Sequence, residues 1–292
     1  MSAALSLLLL ASSAWAGQGK PGIYPVYQSG SRWMLVEKPA QGRAAEVRKG
    51  TRVLVIGSSG VDEFYVSAAT RTLLAGCKGA RPVPKPAHLL SSRSPRAFER
   101  VGAPVIALLL RDGAVYDPAR ASFSALSDDA DETLYSMVRQ AILDATLADA
   151  ASGGFSFLPD DEEGRRFASR PEPEKVQMKI DFSSRLRMAG VKDARLLVEG
   201  TQISKTYRRC LRLFSGDKPL GGCAAMPHVL MAETRLLKFV SYDPSGQGRP
   251  FVMAYTESEP LWGHERWGVQ LTGKGPKVFL EDALDPRCRE SF

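Results

Sequence analysis

"CLRLFSGDKPLGGC" (residues 210–223) sets two cysteines at the ends of a stretch whose centre, Ser215-Gly216-Asp217-Lys218, has the composition of a tight turn. A Gly-Asp pair is a favoured two-residue hairpin loop, because glycine accepts the positive φ that such turns require. With Gly216-Asp217 as the loop, Ser215 faces Lys218, Phe214 faces Pro219, and Cys210 stands directly opposite Cys223. Alternation then makes 214/219, 212/221 and 210/223 the non-hydrogen-bonded pairs, so Pro219 forfeits no ladder bond. Opposed Cα atoms at such a position lie about 4.5 Å apart, near the short limit for a disulfide. A longer irregular loop from Ser215 to Gly222, closed by the same bond, is the competing reading.

The surroundings of this stretch have the same texture. Residues 176–182, 194–199, 207–214, 229–234, 236–242, 251–256, 267–271 and 278–280 read as strands at short, even intervals separated by Gly, Pro and Asp turns. Such spacing indicates an antiparallel sheet, a sandwich or a small barrel. Before it, residues 151–175 are rich in Gly, Pro and charge and read as a linker or long surface loop. One helix is expected from about 129 to 150, where Leu134, Met137, Val138, Ala141, Ile142, Ala145 and Ala148 repeat with helical spacing. Asp129 and Glu132 resemble a capping box, and Asp128, Asp129, Asp131 and Glu132 suit the positive end of the helix dipole better than a calcium loop, whose ligand pattern they do not meet.

Further upstream, residues 24–27, 33–36 and 53–56 read as strands, and 105–111 as a buried strand, whereas the proline-rich segment 77–104 reads as loop. The run Val53-Leu-Val-Ile-Gly-Ser-Ser-Gly60 ends in a glycine turn of the kind that opens a phosphate-cradling unit. It lacks the third glycine of G-x-G-x-x-G, and alternation of Phe64, Val66 and Ala68 with Glu63, Tyr65 and Ser67 favours a hairpin. The fold class that results is α+β, predominantly antiparallel β, with one helix and a disulfide-stapled β-rich C-terminal half. Its expected divisions are an N-terminal α+β region over 17–150, the charged segment 151–175, and an antiparallel β domain over 176–292.

The chain opens with an uncharged apolar run followed by Ala14-Trp15-Ala16, small residues at the two positions a signal peptidase inspects. Residues 1–16 are therefore expected to be a secretory signal peptide, the run being too short to span a bilayer. Export to an oxidising compartment makes the four cysteines a candidate for two disulfides. Cys210 with Cys223 leaves Cys77 with Cys288, a bond that would close a loop of about 200 residues.

Zinc is disfavoured because no C-x-x-C occurs and His88, His228 and His264 are scattered. Gly268-Val-Gln-Leu-Thr-Gly-Lys-Gly275 matches a phosphate loop until its last residue, which should be Ser or Thr to hold magnesium. No cofactor is expected. The complete absence of asparagine removes N-linked glycosylation.

The net charge of +7 favours loose contact with anionic surfaces, although no run of five basic residues suggests nucleic acid. Leu261-Trp-Gly-His-Glu-Arg-Trp267 packs two tryptophans, a histidine and a charge pair into one short stretch, so Trp262, His264, Glu265 and Trp267 are the candidate binding residues. Trp262 and Trp267 point to opposite faces of a continuous strand, which makes core packing the competing role. The functional expectation is an exported binding or interaction module, whose partner is an anionic envelope component or another envelope protein. The alternative is a secreted hydrolase pairing His264 with Glu257, Glu259 or Glu265.

Overall fold

Period-two alternation of apolar residues governs the N-terminal strands, and in the computed structural model they close into a ring. The structure describes residues 22–36, 47–73, 84–110, 116–129, 132–226, 237–256 and 266–282. The chain divides into two compact units, one formed by residues 1–74 with 83–116 and the other by 75–82 with 117–292. The division differs from that expected from composition: the 132–151 helix and the charged segment after it belong with the C-terminal strands.

In the first unit, β1 (Ile23–Ser29), β2 (Arg32–Val36), β3 (Arg52–Gly57), β4 (Val61–Leu73), β5 (Pro84–Ser91) and β6 (Pro104–Leu109) pair in the order β1-β2-β5-β4-β3-β6, and β6 returns to β1. Every pairing is antiparallel, and closure leaves no free sheet edge. Val26, Leu35, Val53, Val55, Phe64, Val66 and Ala107 form one buried cluster with Ala97 and Val101 of the short helix α1 (Ala97–Val101). Trp33 lies 5.2 Å from Phe64 and 4.8 Å from Phe98, so side chains fill this core.

β5 corrects the loop expected over 77–104. Pro84 and Pro86 sit two apart, so both missing N–H groups face the same side, and among the described residues this part of β5 pairs with β4 alone. The hairpin favoured for residues 53–68 is present as β3–β4. Two of the N–H groups of its turn are already engaged within the protein: Ser58 N–H bonds to Ala103 O at 2.8 Å and Ser59 N–H to Val101 O at 3.0 Å.

The second unit contains β7 (Ser122–Leu126), α2 (Glu132–Ala151), α3 (Glu162–Ser169), a 3-10 turn (Pro173–Lys175), β8 (Val176–Met188), β9 (Val191–Ile203), β10 (Thr206–Ser215), β11 (Lys218–Ala225), β12 (Leu237–Asp243), β13 (Phe251–Thr256), β14 (Arg266–Thr272) and β15 (Gly275–Asp282). A four-stranded sheet, β11-β10-β9-β8, and a five-stranded one, β15-β14-β13-β12-β7, share a core. Leu196, Val198, Leu211 and Leu213 of the first pack with Phe239, Val252, Ala254, Trp267 and Val269 of the second. On the opposite face of the four-stranded sheet, Leu134, Val138 and Ile142 of α2 pack on Leu197 and Phe214. The fold is thus β-dominant α+β, with antiparallel sheets and the Cys210–Cys223 disulfide in its C-terminal half.

The buried stripe of α2 is Leu134, Val138, Ile142, Thr146 and Ala150. It is narrower than the expected one, because Met137 is 54% exposed. The Asp129 carboxylate, expected to cap this helix, accepts a hydrogen bond from Ser183 Oγ of β8 at 2.5 Å. The segment expected to be a linker contains α3, whose N-cap Asp161 accepts from Gly164 N–H. The strand expected at 229–234, the signal peptide at 1–16, and both Cys77 and Cys288 lie outside the described residues.

The disulfide joins Cys210 to Cys223 with the Cα atoms 5.4 Å apart. The simple register holds for Ser215↔Lys218, Phe214↔Pro219 and Leu213↔Leu220 and then slips, so that Leu211 faces Ala224 and Cys210 faces Ala225. Gly221, Gly222 and Cys223 bulge against Arg212. The cause lies in the other sheet: Gly221 has φ +74, and a Cβ there would fall 2.3 Å from the Lys274 carbonyl in the β14–β15 turn. That same turn contains Gly273-Lys274, so the phosphate-loop resemblance is a hairpin.

Replacing both cysteines in Cys210→Ala/Cys223→Ala should lower unfolding free energy by roughly 3 kcal/mol, as expected for a loop of this size. Urea denaturation measures it, and an unchanged midpoint would contradict the assignment of the bond as a stabilising staple. Gly221→Ala should also destabilise the chain, by more than about 1 kcal/mol, because it combines an unfavourable φ with the Lys274 contact.

Candidate functional site

Of the tryptophan-rich stretch, Trp262, His264 and Glu265 lie outside the described residues, as do Glu257 and Glu259. Trp267 is described and lies on β14 with 0% exposure, inside the core between the two sheets. A ring so placed offers no stacking face to a ligand, which corrects its assignment as a binding residue. Trp267→Ala should cost about 3–5 kcal/mol in urea denaturation, the range for emptying an aromatic site in a core. Ligand binding lost without any loss of stability would contradict that role.

Two other regions hold the unusual chemistry. The first lies between α2 and the four-stranded sheet. Alternation on β9 and β10 sends Leu197, Glu199 and Thr201, with Arg208, Cys210, Arg212 and Phe214, toward the helix. Glu199 is 1% exposed and Arg212 2%, and their side chains meet at 2.9 Å. Arg208 reaches Asp149 of α2 at 3.0 Å and the Gly154 carbonyl at 3.3 Å, with its guanidinium 4.4 Å from the Phe155 ring centroid.

Several buried atoms here have no hydrogen-bond partner: both Glu199 carboxylate oxygens, Nε of Arg208, Nε and Nη2 of Arg212, and the hydroxyls of Thr146 and Thr201. Arg212 Nη2 and Glu199 Oε1 nonetheless form a close ion pair. Burial pushes the Glu199 carboxyl up, against the attraction of Arg212 and Arg208. Burial likewise lowers Arg208, against Asp149.

The second region is a cleft of about 240 Å³ beside α3, lined by Glu163, Phe167, Lys175, Gln177, Gln202 and Ser204 with Ile203. It exists because Asp161 ties α3 to the β9–β10 turn: its carboxylate accepts from Gly164 N–H at 2.8 Å, Ser204 Oγ at 2.8 Å and Thr206 Oγ1 at 2.6 Å. Burial raises the Asp161 carboxyl, but these hydrogen bonds outweigh it and the group titrates below its ordinary 3.8. Gln177 and Gln202 stand directly opposite each other across β8 and β9, while Lys175 lies 3.9 Å from Glu163. Phe167 and Ile203 form the apolar floor.

A different carboxylate, Asp243, shows what a purely structural role looks like. It accepts backbone N–H bonds from Ser245, Gly246, Gly248 and Arg249 and shapes the loop after β12. Burial raises it too, and the bonds from Ser245, Arg249 and Gly248 prevail, so it titrates below 3.8. Among the described residues, no group of three or more His, Cys, Asp and Glu side chains is arranged to hold a metal ion. The chain matches no family model, and neither a curated protein nor a solved structure is similar to it.

Sequence reasoning missed Glu199, Arg208 and Arg212, yet a signal was present. A strand running Leu196-Leu-Val-Glu, and arginines at both i±2 positions of a cysteine, place charges at positions otherwise apolar. The two kinds of carboxylate have opposite pH signatures. Asp161 and Asp243, lowered in the fold, contribute stability present above about pH 4 and lost as pH falls below it. Glu199, raised above 4.5, makes the fold lose stability as pH rises from there. Urea titrations across pH should show Asp161→Asn weakening the acid limb, and Glu199→Gln flattening the profile above pH 4.5. Unchanged profiles in both variants would contradict this assignment.

Proposed function

We propose that the protein is an exported, non-catalytic binding module of the cell envelope or extracellular space, and that the cleft beside α3 is its ligand contact. The observation that carries this reading is the cleft's lining. Two opposed glutamine amides offer donors and acceptors together, Lys175 and Glu163 nearly cancel in charge, and Phe167 supplies an apolar floor. At about 240 Å³ the space is below the ~300–1,000 Å³ of drug-sized pockets and suits a single small ring.

A sugar ring bearing hydroxyl and amide groups matches that chemistry: glutamine side chains pair bidentately with amide and hydroxyl partners, and the apolar edges of Phe167 and Ile203 meet the ring's C–H groups. The net charge of +7 draws the module toward an anionic polymer carrying such units. An amide-bearing envelope glycan combines both features. The secretory opening and the paired cysteines support the compartment.

N-acetylglucosamine oligomers are a direct probe. At about 100 times the dissociation constant they should add about 2.7 kcal/mol, a rise in melting temperature of roughly 5–10 °C. The rise should be lost in Gln177→Ala and Gln202→Ala, which leave the core intact. No saturable shift, or an equal shift in both variants, would overturn the assignment of the cleft.

A further inference from the structure

The environment of the disulfide suggests more than a staple. Cys210 is 0% exposed, whereas Cys223, in the bulge after Gly221-Gly222, is partly exposed. The two sulfurs of the bond therefore differ in access. Around the buried one, Arg208 and Arg212 are the same-face neighbours on its own strand, each about 7 Å along it. Glu199 is its direct cross-strand partner on β9.

The charged groups facing this spot are Glu199 from β9, Arg208 and Arg212 from β10, and Asp149 from α2. On β11 the opposed residue is Ala225, and on β8 Ile180 lies beyond Glu199, so neither adds a charge. Nε of Arg208 and Nε of Arg212 are buried N–H donors without a hydrogen-bond partner, while Nη2 of Arg212 lies 2.9 Å from Glu199 Oε1 in an ion pair. Glu199 Oε2 is likewise without a partner, and so are the buried hydroxyls of Thr146 and Thr201. Buried polar atoms are seldom left unsatisfied, and so many together are a costly arrangement for a site that is only structural.

We propose that Cys210–Cys223 is an exchangeable disulfide, in which Cys223 is the sulfur attacked, Cys210 is the leaving group held by Arg208 and Arg212, and Glu199 is its proton donor. The thiolate of an incoming small thiol attacks Cys223 Sγ and forms a mixed disulfide there. The Cys223–Cys210 bond breaks, and its electron pair leaves on Cys210 Sγ. That thiolate meets the free Nε donors of Arg208 and Arg212 and then takes the proton of Glu199, which is a carboxylic acid before the exchange and becomes a carboxylate facing Arg212 after it. A second thiol attacks the sulfur of the bound thiol, freeing Cys223 as a thiolate. Two small thiols are oxidised to one disulfide, and the protein's disulfide becomes two thiols.

Electrostatics supports the direction of attack. Thiol–disulfide exchange is faster when the departing sulfur is the better-stabilised thiolate, and cationic neighbours lower a thiol's pKa. A partly exposed sulfur joined to a buried one beside arginines fixes which bond end is attacked. This reaction is independent of the cleft, so its failure leaves the ligand-binding reading untouched.

The test is reduction of the folded, oxidised chain by millimolar glutathione, trapped by alkylation and read by mass spectrometry on the peptides carrying residues 210 and 223. Native protein should form the glutathione adduct on Cys223 and not on Cys210. Glu199→Gln, similar in shape but unable to supply the proton, should slow release of Cys210 by roughly a hundredfold and change its pH profile. If that variant does not fold, thiolate absorbance of the reduced native chain serves instead, with one thiol titrating clearly below the ordinary value of about 8.5. Native protein that resists glutathione while its urea-unfolded form is reduced would make the bond a staple only. Equal rates and pH profiles for wild type and Glu199→Gln, or thiols titrating at or above the ordinary value, would also overturn the proposal.

Discussion

A sheet packed on both faces gives a charged side chain no route to water, and β9 and β10 place Glu199, Arg208 and Arg212 on such a face. Each must find its compensation inside the protein. Arg212 and Glu199 meet each other, while Arg208 draws on Asp149 and the Gly154 carbonyl near the end of α2 and on the face of Phe155. That last set of contacts fixes how α2 ends and where the chain turns toward α3. Phe155 in turn packs with Phe167 and Ile203, and those two form the floor of the cleft. Replacing a buried ion pair with apolar groups of equal volume often leaves stability unchanged or improved, so the value of these charges lies in the positions they impose and the chemistry they permit.

The other face of the same strands is governed by close approach. At Gly200, on the sandwich side, a Cβ would fall 2.0 Å from the Tyr207 hydroxyl. That hydroxyl donates to Asp181 at 2.9 Å, and Asp181 also accepts from Arg209 at 2.5 Å. Burial and the nearby Asp181 push the Tyr207 hydroxyl up to about 12, which keeps it a donor at any ordinary pH. Gly221 and Gly275 bring β11 against the start of β15 in the same way. The bulge that results shifts Cys223 away from the position opposite Cys210, so the bond connects a buried sulfur with one nearer the surface. The free edge of β8 is blunted at separate points: Tyr135 bonds to the Met178 carbonyl, Asp128 and Asp129 bond to Ser183, and Gly248 O accepts from Ala189 N–H.

What the sequence disclosed followed from local periodicity. Alternation found β3, β4, β6, β10 and β13, and helical spacing found α2, because each pattern is set by residues within a few positions of one another. β5 was hidden by prolines that a strand with one paired side tolerates, and α3 by a composition in which Phe167 is the only large apolar residue. The disulfide partner was legible from the Gly216-Asp217 turn, but the bulge was not, since its cause is the Lys274 carbonyl more than fifty positions away. The candidate sites were mostly illegible for a related reason. Gln177, Gln202, Glu163 and Lys175 are unremarkable in sequence and meet only through strand register and the Asp161 tether. Trp267 drew notice as a tryptophan beside a charge pair, whereas its ring belongs to the apolar core between the two sheets.

The dependence of the second unit on its buried charges is measured most directly by a double-mutant cycle on Glu199→Gln and Arg212→Met, followed by urea denaturation at neutral pH. If these two side chains compensate each other inside the fold, the two single losses should sum to clearly more than the loss in the double variant, with a coupling energy of about 1.5–3 kcal/mol. Single losses that add to the double within about 0.5 kcal/mol would contradict the account, because the two side chains would then be stabilised independently.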